Sequence, residues 1–150
     1  MPDSQRASGS YTRGMKHAAM RIENFIEEVW VVCPHCSATG YIRWAFRGSA
    51  QLVCPTCSAT RERKVNRWTY GIAFDPFFQL PLRLQTPLKM KTLWAYNPAH
   101  LAYLKAFLLD PKRDVAASFS STVVERLPRW LLTTRRRELE RAFARIERPK

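Results

Sequence analysis

The spacing of apolar residues changes character several times along the chain. From Met15 onward, Ile22, Phe25, Ile26 and Val29 recur at intervals of three and four, so a short amphipathic helix is predicted over 15–29. Trp30-Val31-Val32 then reads as extended. Residues 41–47 alternate Ile42, Trp44 and Phe46 with Tyr41, Arg43, Ala45 and Arg47, which predicts a strand with one apolar and one basic face. Gly48-Ser49 is the expected turn, and 50–53 the returning strand. Residues 60–65 read as extended but heavily charged, as suits a sheet edge where charge discourages further pairing.

Beyond this point Pro76, Pro81 and Pro87 exclude a long helix, and the alternation of Leu80, Leu82 and Leu84 predicts short strands and connections over 71–96. Helix returns at Asn97-Pro98, where Asn caps exposed amides and proline at the first helical position sacrifices no internal bond. Leu101, Leu104 and Leu108, flanked by Tyr103 and Phe107, form its buried stripe, and Asp110-Pro111 ends it. Thr122 and Glu125 have capping-box spacing for a short helical turn broken by Pro128.

A last helix is predicted over 135–147, with Leu139, Phe143 and Ile146 on one side. The two apolar helical stripes are expected to dock on the β portion, leaving Arg135, Arg136, Arg141 and Arg145 as a second basic surface. The first residues, 1–14, are small and polar without periodicity and read as a flexible tail. The chain thus divides into a tail (1–14), an N-terminal helix (15–29), a cysteine-containing β region (30–70), short strands and connections (71–96) and a helical C-terminal region (97–150).

Composition adds that a core exists, because 46% of residues are apolar and 12% aromatic. Twenty-five Lys and Arg against 12 Asp and Glu give a net charge of +13, concentrated in 29–70 and 115–150. Such an excess favours polyanions or acidic protein surfaces and argues against a small anionic substrate handled by carboxylates. The apolar runs fall far short of the roughly 20 residues that cross a bilayer, and no signal-peptide pattern opens the chain. A cytoplasmic protein without membrane partners is expected, its four cysteines reduced or metal-bound rather than paired in disulfides.

Those cysteines carry the sharpest signal. Cys33 and Cys36 are separated by two residues, as are Cys54 and Cys57, with 17 residues between the pairs. Two intervening residues let a tight turn aim both sulfurs at one ion, and a hairpin brings the second turn opposite the first. Cys-Pro-His-Cys-Ser-Ala-Thr at 33–39 and Cys-Pro-Thr-Cys-Ser-Ala-Thr at 54–60 differ at one position, so the two turns are an internal repeat. One structural Zn2+ held by Cys33, Cys36, Cys54 and Cys57 follows. With four thiolates in place, His35 is expected on the solvent side, and His17 and His100 in surface or packing roles. The fold class is therefore α+β, a four-cysteine zinc ribbon with short antiparallel strands packed on C-terminal α-helices.

Catalysis is not expected. A hydrolytic zinc site keeps an open position and a nearby carboxylate, whereas four thiolates close the tetrahedron and Glu62 is the only acid in the cysteine region. No nucleophile elbow, phosphate loop or His-Glu-x-x-His occurs, and no small-molecule substrate is implied.

The cysteine motif, followed by Thr92-Leu93-Trp94-Ala95-Tyr96-Asn97, His100-Leu101, Tyr103-Leu104 and Arg126-Leu127-Pro128-Arg129-Trp130, resembles small bacterial zinc-ribbon proteins of undefined role. The resemblance covers about residues 28–148 and implies a transcription-factor-type ribbon with a helical C-terminal half. Where relatives carry a cysteine pair before the Leu-Trp-Ala-Tyr-Asn segment, this chain has Leu88-Lys89-Met90-Lys91, so no second metal is implied.

Two kinds of partner fit these features. Arg43, Arg47, Arg61, Arg63 and Lys64, interleaved with Tyr41, Trp44, Trp68 and Tyr70, supply phosphate contacts and stacking surfaces for nucleic acid. Alternatively, the basic and aromatic surfaces meet an acidic protein, as in an adaptor or the neutralising partner of a toxin. Against the nucleic-acid reading stands the charge of about −2 on a zinc tetrathiolate, which neighbouring arginines also offset.

Overall fold

The computed structural model describes residues 22–45, 48–66, 72–111 and 127–148. The expected tail, the start of the N-terminal helix with His17, the pair Phe46 and Arg47, Trp68 and Tyr70, and the Thr122–Glu125 capping box lie outside the described residues.

Four strands, β1 (Glu28–Val32), β2 (Thr39–Ala45), β3 (Ser49–Val53) and β4 (Thr60–Lys64), form an antiparallel meander in sequence order. The expected alternation is realised in the register. Val29 faces Ile42, Ile42 faces Leu52, and Val31 faces Gly40, so one side of the sheet carries a continuous apolar row. Gly40 makes room for this packing: a Cβ there would sit 3.1 Å from the Leu52 Cδ1 and 3.4 Å from the Val31 Cγ2, so those side chains would have to give way. At the β2–β3 turn Gly48 takes φ +71°, a conformation that side chains disfavour.

The helix expected through Val29 does not form over the described part of its span. Ile22–Asn24 make one 3-10 turn, and β1 has begun by Glu28. The reason is tertiary, since β1 finds backbone partners along both edges. Beyond its ladder to β2, the Trp30 N–H donates to the Tyr96 carbonyl (2.7 Å), the Val32 N–H to the Pro81 carbonyl (2.9 Å), and the Arg83 N–H to the Trp30 carbonyl (2.9 Å). Phe25, Ile26, Val29 and Val31 are all buried, an arrangement in which the alternating pair satisfies the sheet.

A second antiparallel hairpin, β5 (Leu84–Leu88) and β6 (Lys91–Ala95), leads into helix α1 (Pro98–Leu108). Helices α2 (Arg129–Leu132) and α3 (Arg136–Glu147) complete the described chain. Asn97 caps α1 as its sequence suggests, its side-chain oxygen accepting from the His100 N–H at 2.9 Å. Its amide nitrogen also donates to the Phe25 and Glu28 carbonyls, so one side chain fastens the start of the helix to the start of the sheet.

The loop before β5 is built around Asp75. This buried carboxylate accepts the N–H groups of Phe77 (2.8 Å), Phe78 (2.6 Å) and Leu80 (2.6 Å). Burial pushes its pKa up against the downward pull of those amides. The turn it organises delivers Pro81 and Leu82 to the edge of β1, where Leu82 bridges Val31.

The architecture is thus α+β, with antiparallel sheets and C-terminal helices. Leu101, Leu104 and Leu108 of α1 and Leu139, Phe143 and Ile146 of α3 are buried in one cluster with Val29, Ile42, Leu52 and Leu82. In this core α3 lies against β5 and α1 against β6, so the second hairpin carries the helices. His100 is buried beside this junction, its ring stacked between Phe25 (4.9 Å) and Tyr96 (5.3 Å), with its Nδ1 accepting the Tyr96 N–H at 3.0 Å. Burial drops its pKa to about 3, so the ring is neutral. Among the described residues, no helix is long and apolar enough to cross a membrane.

Candidate functional site

The strand ends position the four cysteines. Cys33 follows β1 and Cys54 follows β3, and each opens a turn that returns into the next strand. The repeated sequence produces repeated bonding. In the first turn the Cys33 N–H donates to the Ala38 carbonyl (2.8 Å) and the Ser37 N–H to the Cys33 carbonyl (3.0 Å). In the second, the Cys54 N–H donates to the Ala59 carbonyl (2.9 Å) and the Ser58 N–H to the Cys54 carbonyl (2.8 Å). Ser37 and Ser58 occupy the same left-handed conformation, at φ 64° and 63°.

The two knuckles bring their sulfurs together, all within 4.8 Å of one another. Cys33 and Cys57 Sγ are 3.7 Å apart and Cys36 and Cys54 Sγ 3.5 Å, and all four thiols are free. A tetrahedral zinc with bonds of about 2.3 Å needs sulfur–sulfur edges of about 3.8 Å. The donor set and its spacing therefore fit one structural zinc ion, with Cys33 and Cys54 on the buried side and Cys36 and Cys57 on the exposed side.

The clustered thiols also perturb one another's ionisation. Burial pushes the Cys33 thiol up, but the N–H groups of Cys36 and His35 and the neighbouring thiols outweigh it and hold it down at about 6. The Ala38 N–H pulls Cys36 down, yet burial and the three other cysteines push it up to about 12. Cys57, against the pull of the Ala59 N–H, is raised by burial and by Cys33 and Cys54. Four thiols this close resist joint ionisation, and a dication removes the conflict by attracting them all. The His35 N–H lies 3.4 Å from the Cys33 sulfur, and its exposed ring is not among the clustered ligands.

The basic residues singled out with the motif do not share one face. Residues opposite one another on paired strands point the same way, and neighbours along a strand point to opposite sides. Arg61 lies opposite Leu52 and Arg63 opposite Ala50, which lies opposite Trp44, so these three belong to the core side of the sheet. Arg43 lies opposite Gln51, and Lys64 opposite Ser49, on the reverse side. Arg43 is further engaged by Glu28 in an ion pair of 3.2 Å. Arg47 and Trp68 lie outside the described residues.

Every residue of β4 is exposed, and Trp44 is 37% exposed. Arg61, Arg63 and Lys64 have no ion-pair partner among the described residues. The reverse side carries a different row, with Trp30 edge-on to Tyr41 at 5.4 Å and Val53 opposite Tyr41, 38% exposed.

The arginines expected to form a second basic surface are also divided. Arg136 is paired with Glu140 at 2.9 Å and donates to the Leu109 carbonyl, while Arg145 donates to Thr86 Oγ1 (3.0 Å) and the Pro87 carbonyl (2.8 Å). Both hold the helix in place rather than stand free. Sequence reasoning passed over Arg83, whose Nη1 donates to the Ser37 carbonyl at 3.1 Å and ties the first knuckle to the segment before β5. The alternation of Leu80, Leu82 and Leu84 was the signal available, since it aims Arg83 away from the core. Compared with known proteins, the chain matches no family model, no curated protein and no solved structure.

Proposed function

We propose that the chain is a non-catalytic zinc-ribbon module that contacts nucleic acid through Arg61, Arg63 and Trp44. The observation that carries this reading is the state of β4. It is exposed along its length, and its two arginines share a side of the sheet with a partly exposed tryptophan. Arg63 and Trp44 stand two strand spacings apart, roughly 10 Å, and Arg61 and Arg63 are one alternation apart along the strand. Cations beside an aromatic ring serve phosphate contact and base stacking together. A non-catalytic role is supported by the ligand set, since four thiolates leave zinc no open position for water or substrate.

The test is nucleic-acid binding over a salt series by wild type and by Arg61→Glu/Arg63→Glu, with zinc content measured in both. Affinity is expected to fall at least about tenfold, and the slope of log affinity against log salt to drop by about 2, at unchanged zinc content. Unchanged binding would remove β4 from the interface. A second reading, an adaptor for an acidic protein, is favoured by the Trp30–Tyr41–Val53 row beside Arg43, which offers an apolar anchor. Co-purification of one stoichiometric acidic protein, lost on Val53→Asp, would transfer the assignment there.

A further inference from the structure

Helix α3 carries a surface that the metal site does not use. All three of its carboxylates are engaged: Glu138 with Lys89 (3.2 Å), Glu140 with Arg136 (2.9 Å) and Glu147 with Lys105 (2.8 Å). Two of those cations come from outside the helix, from the β5–β6 turn and from α1. Arg137 and Arg141 are exposed and have no ion-pair partner among the described residues, and the same holds for Arg148 at the C-cap. At 3.6 residues per turn Arg137 and Arg141 fall within about 40° of each other, and Arg148 continues their line, giving a cationic stripe about 16 Å long.

The helix dipole does not account for Arg137: the helix begins at Arg135 without a side-chain cap bond, and Arg137 occupies the first turn, where the dipole disfavours cations, although it favours Arg148 at the C-cap. Its apolar side is already committed, with Leu139, Ala142, Phe143 and Ile146 buried, so the stripe is neither a core face nor a membrane-inserting one.

The geometry points to this stripe as a second contact surface for the phosphate backbone of double-stranded nucleic acid, on a different element from β4. The inference rests on the nucleic-acid reading given above. The chemistry favours phosphates over a protein partner for two reasons. The stripe's cations are all arginine, whose planar fork suits phosphate oxygens. Its remaining position is Ala144, so it has no large apolar anchor of the kind that centres a protein interface, and no ring on which a base could stack. Phosphate contacts need neither, because counterion release supplies the affinity.

The experiment measures binding of a fluorescein-labelled DNA duplex of mixed sequence over a potassium chloride series. It compares wild type, Arg61→Glu/Arg63→Glu, and Arg137→Gln/Arg141→Gln/Arg148→Gln, with zinc content and melting temperature as controls. For the triple variant the salt slope is expected to fall by about 2 to 3 and low-salt affinity by at least about tenfold, with zinc content and melting temperature unchanged. A triple variant with the wild-type slope, alongside a β4 variant that has lost binding, overturns the α3 surface and leaves the nucleic-acid reading standing. Absence of duplex binding by wild type overturns this inference, and if the same titration with a labelled single strand also shows no binding the nucleic-acid reading falls with it. If the triple variant loses zinc or stability, the single changes Arg137→Gln and Arg141→Gln are measured instead, and an unaltered slope in both overturns the proposal.

Discussion

The two cysteine knuckles are nearly identical in sequence, backbone bonding and the left-handed serine that closes each, yet they sit in different surroundings. The first is clasped: Arg83 bonds to Ser37, Val32 bonds to Pro81, and Gly40 lies buried against Leu52 and Val31. The second leads into a strand exposed at every position, and Arg61 occupies the place equivalent to Gly40. One local motif thus serves as an anchor at one end and as a presented surface at the other. Metal chemistry depends on what the knuckles share, whereas the proposed binding depends on where they differ.

Removing the metal attacks the shared part and should have the largest effect. Structural zinc contributes on the order of 10 kcal/mol to folding of small modules, and the cysteine sheet is small. Purified protein is expected to hold one zinc per chain by elemental analysis, and chelation to unfold the sheet. Hydrogen exchange should rise first in β4 and later in β1, which retains its bonds to the segment before β5. Simultaneous loss in both strands would contradict the asymmetry, and a Cys54→Ser variant with full metal content would contradict the site itself.

Valine at the two equivalent positions tests the difference directly. Gly40→Val forces a branched side chain against Leu52 and Val31 and should cost about 1–3 kcal/mol in chemical denaturation. Arg61→Val, on the exposed strand, should change stability by no more than about 0.5 kcal/mol. Equal costs would mean that the second knuckle is covered as well.

Acid should separate the clasped side from the metal. His100 titrates in the folded protein at about 3, against its ordinary 6.5, so the unfolded chain takes up a proton that the folded chain refuses. The stability this imposes is fully present above about pH 6.5 and is lost as pH falls towards 3. By pH 5 the loss relative to the plateau above neutral pH should be about 2 kcal/mol. His100→Phe should lack that part of the pH dependence in zinc-saturated protein, and an identical profile would show that cysteine protonation alone governs acid sensitivity.

The smallest effect concerns symmetry. Ser37→Gly and Ser58→Gly each relieve a non-glycine residue at positive φ and should each stabilise by up to about 1 kcal/mol, by equal amounts. Unequal gains would reveal strain in one knuckle alone.

Much of this was legible because it is local. Two-residue cysteine spacing dictates a turn with converging sulfurs, and 17 intervening residues dictate a hairpin between the turns. Alternation at Ile42 and Trp44 and the Asn97-Pro98 start of α1 were equally direct, as were the apolar stripes of α1 and α3. The stretch from Ile22 to Val29 was misjudged because its apolar residues satisfy a helical period over one window, whereas alternate residues from Val29 onward satisfy a strand.

By itself, then, the sequence determined the metal ligands, the two knuckles, the alternating strands and the apolar faces of the helices, since each depends on residues near one another along the chain. Tertiary structure decided the rest. Register sent Arg43 and Lys64 to one side of the sheet and Arg61 and Arg63 to the other, and backbone partners from Pro81 and Tyr96 made β1 a strand. Lys89 and Lys105 reached across to occupy two of the three carboxylates of α3, and Arg137 and Arg141 have no ion-pair partner among the described residues. A charge's availability is settled by what lies within a few ångströms of it in space, and those neighbours are up to dozens of residues away in the chain.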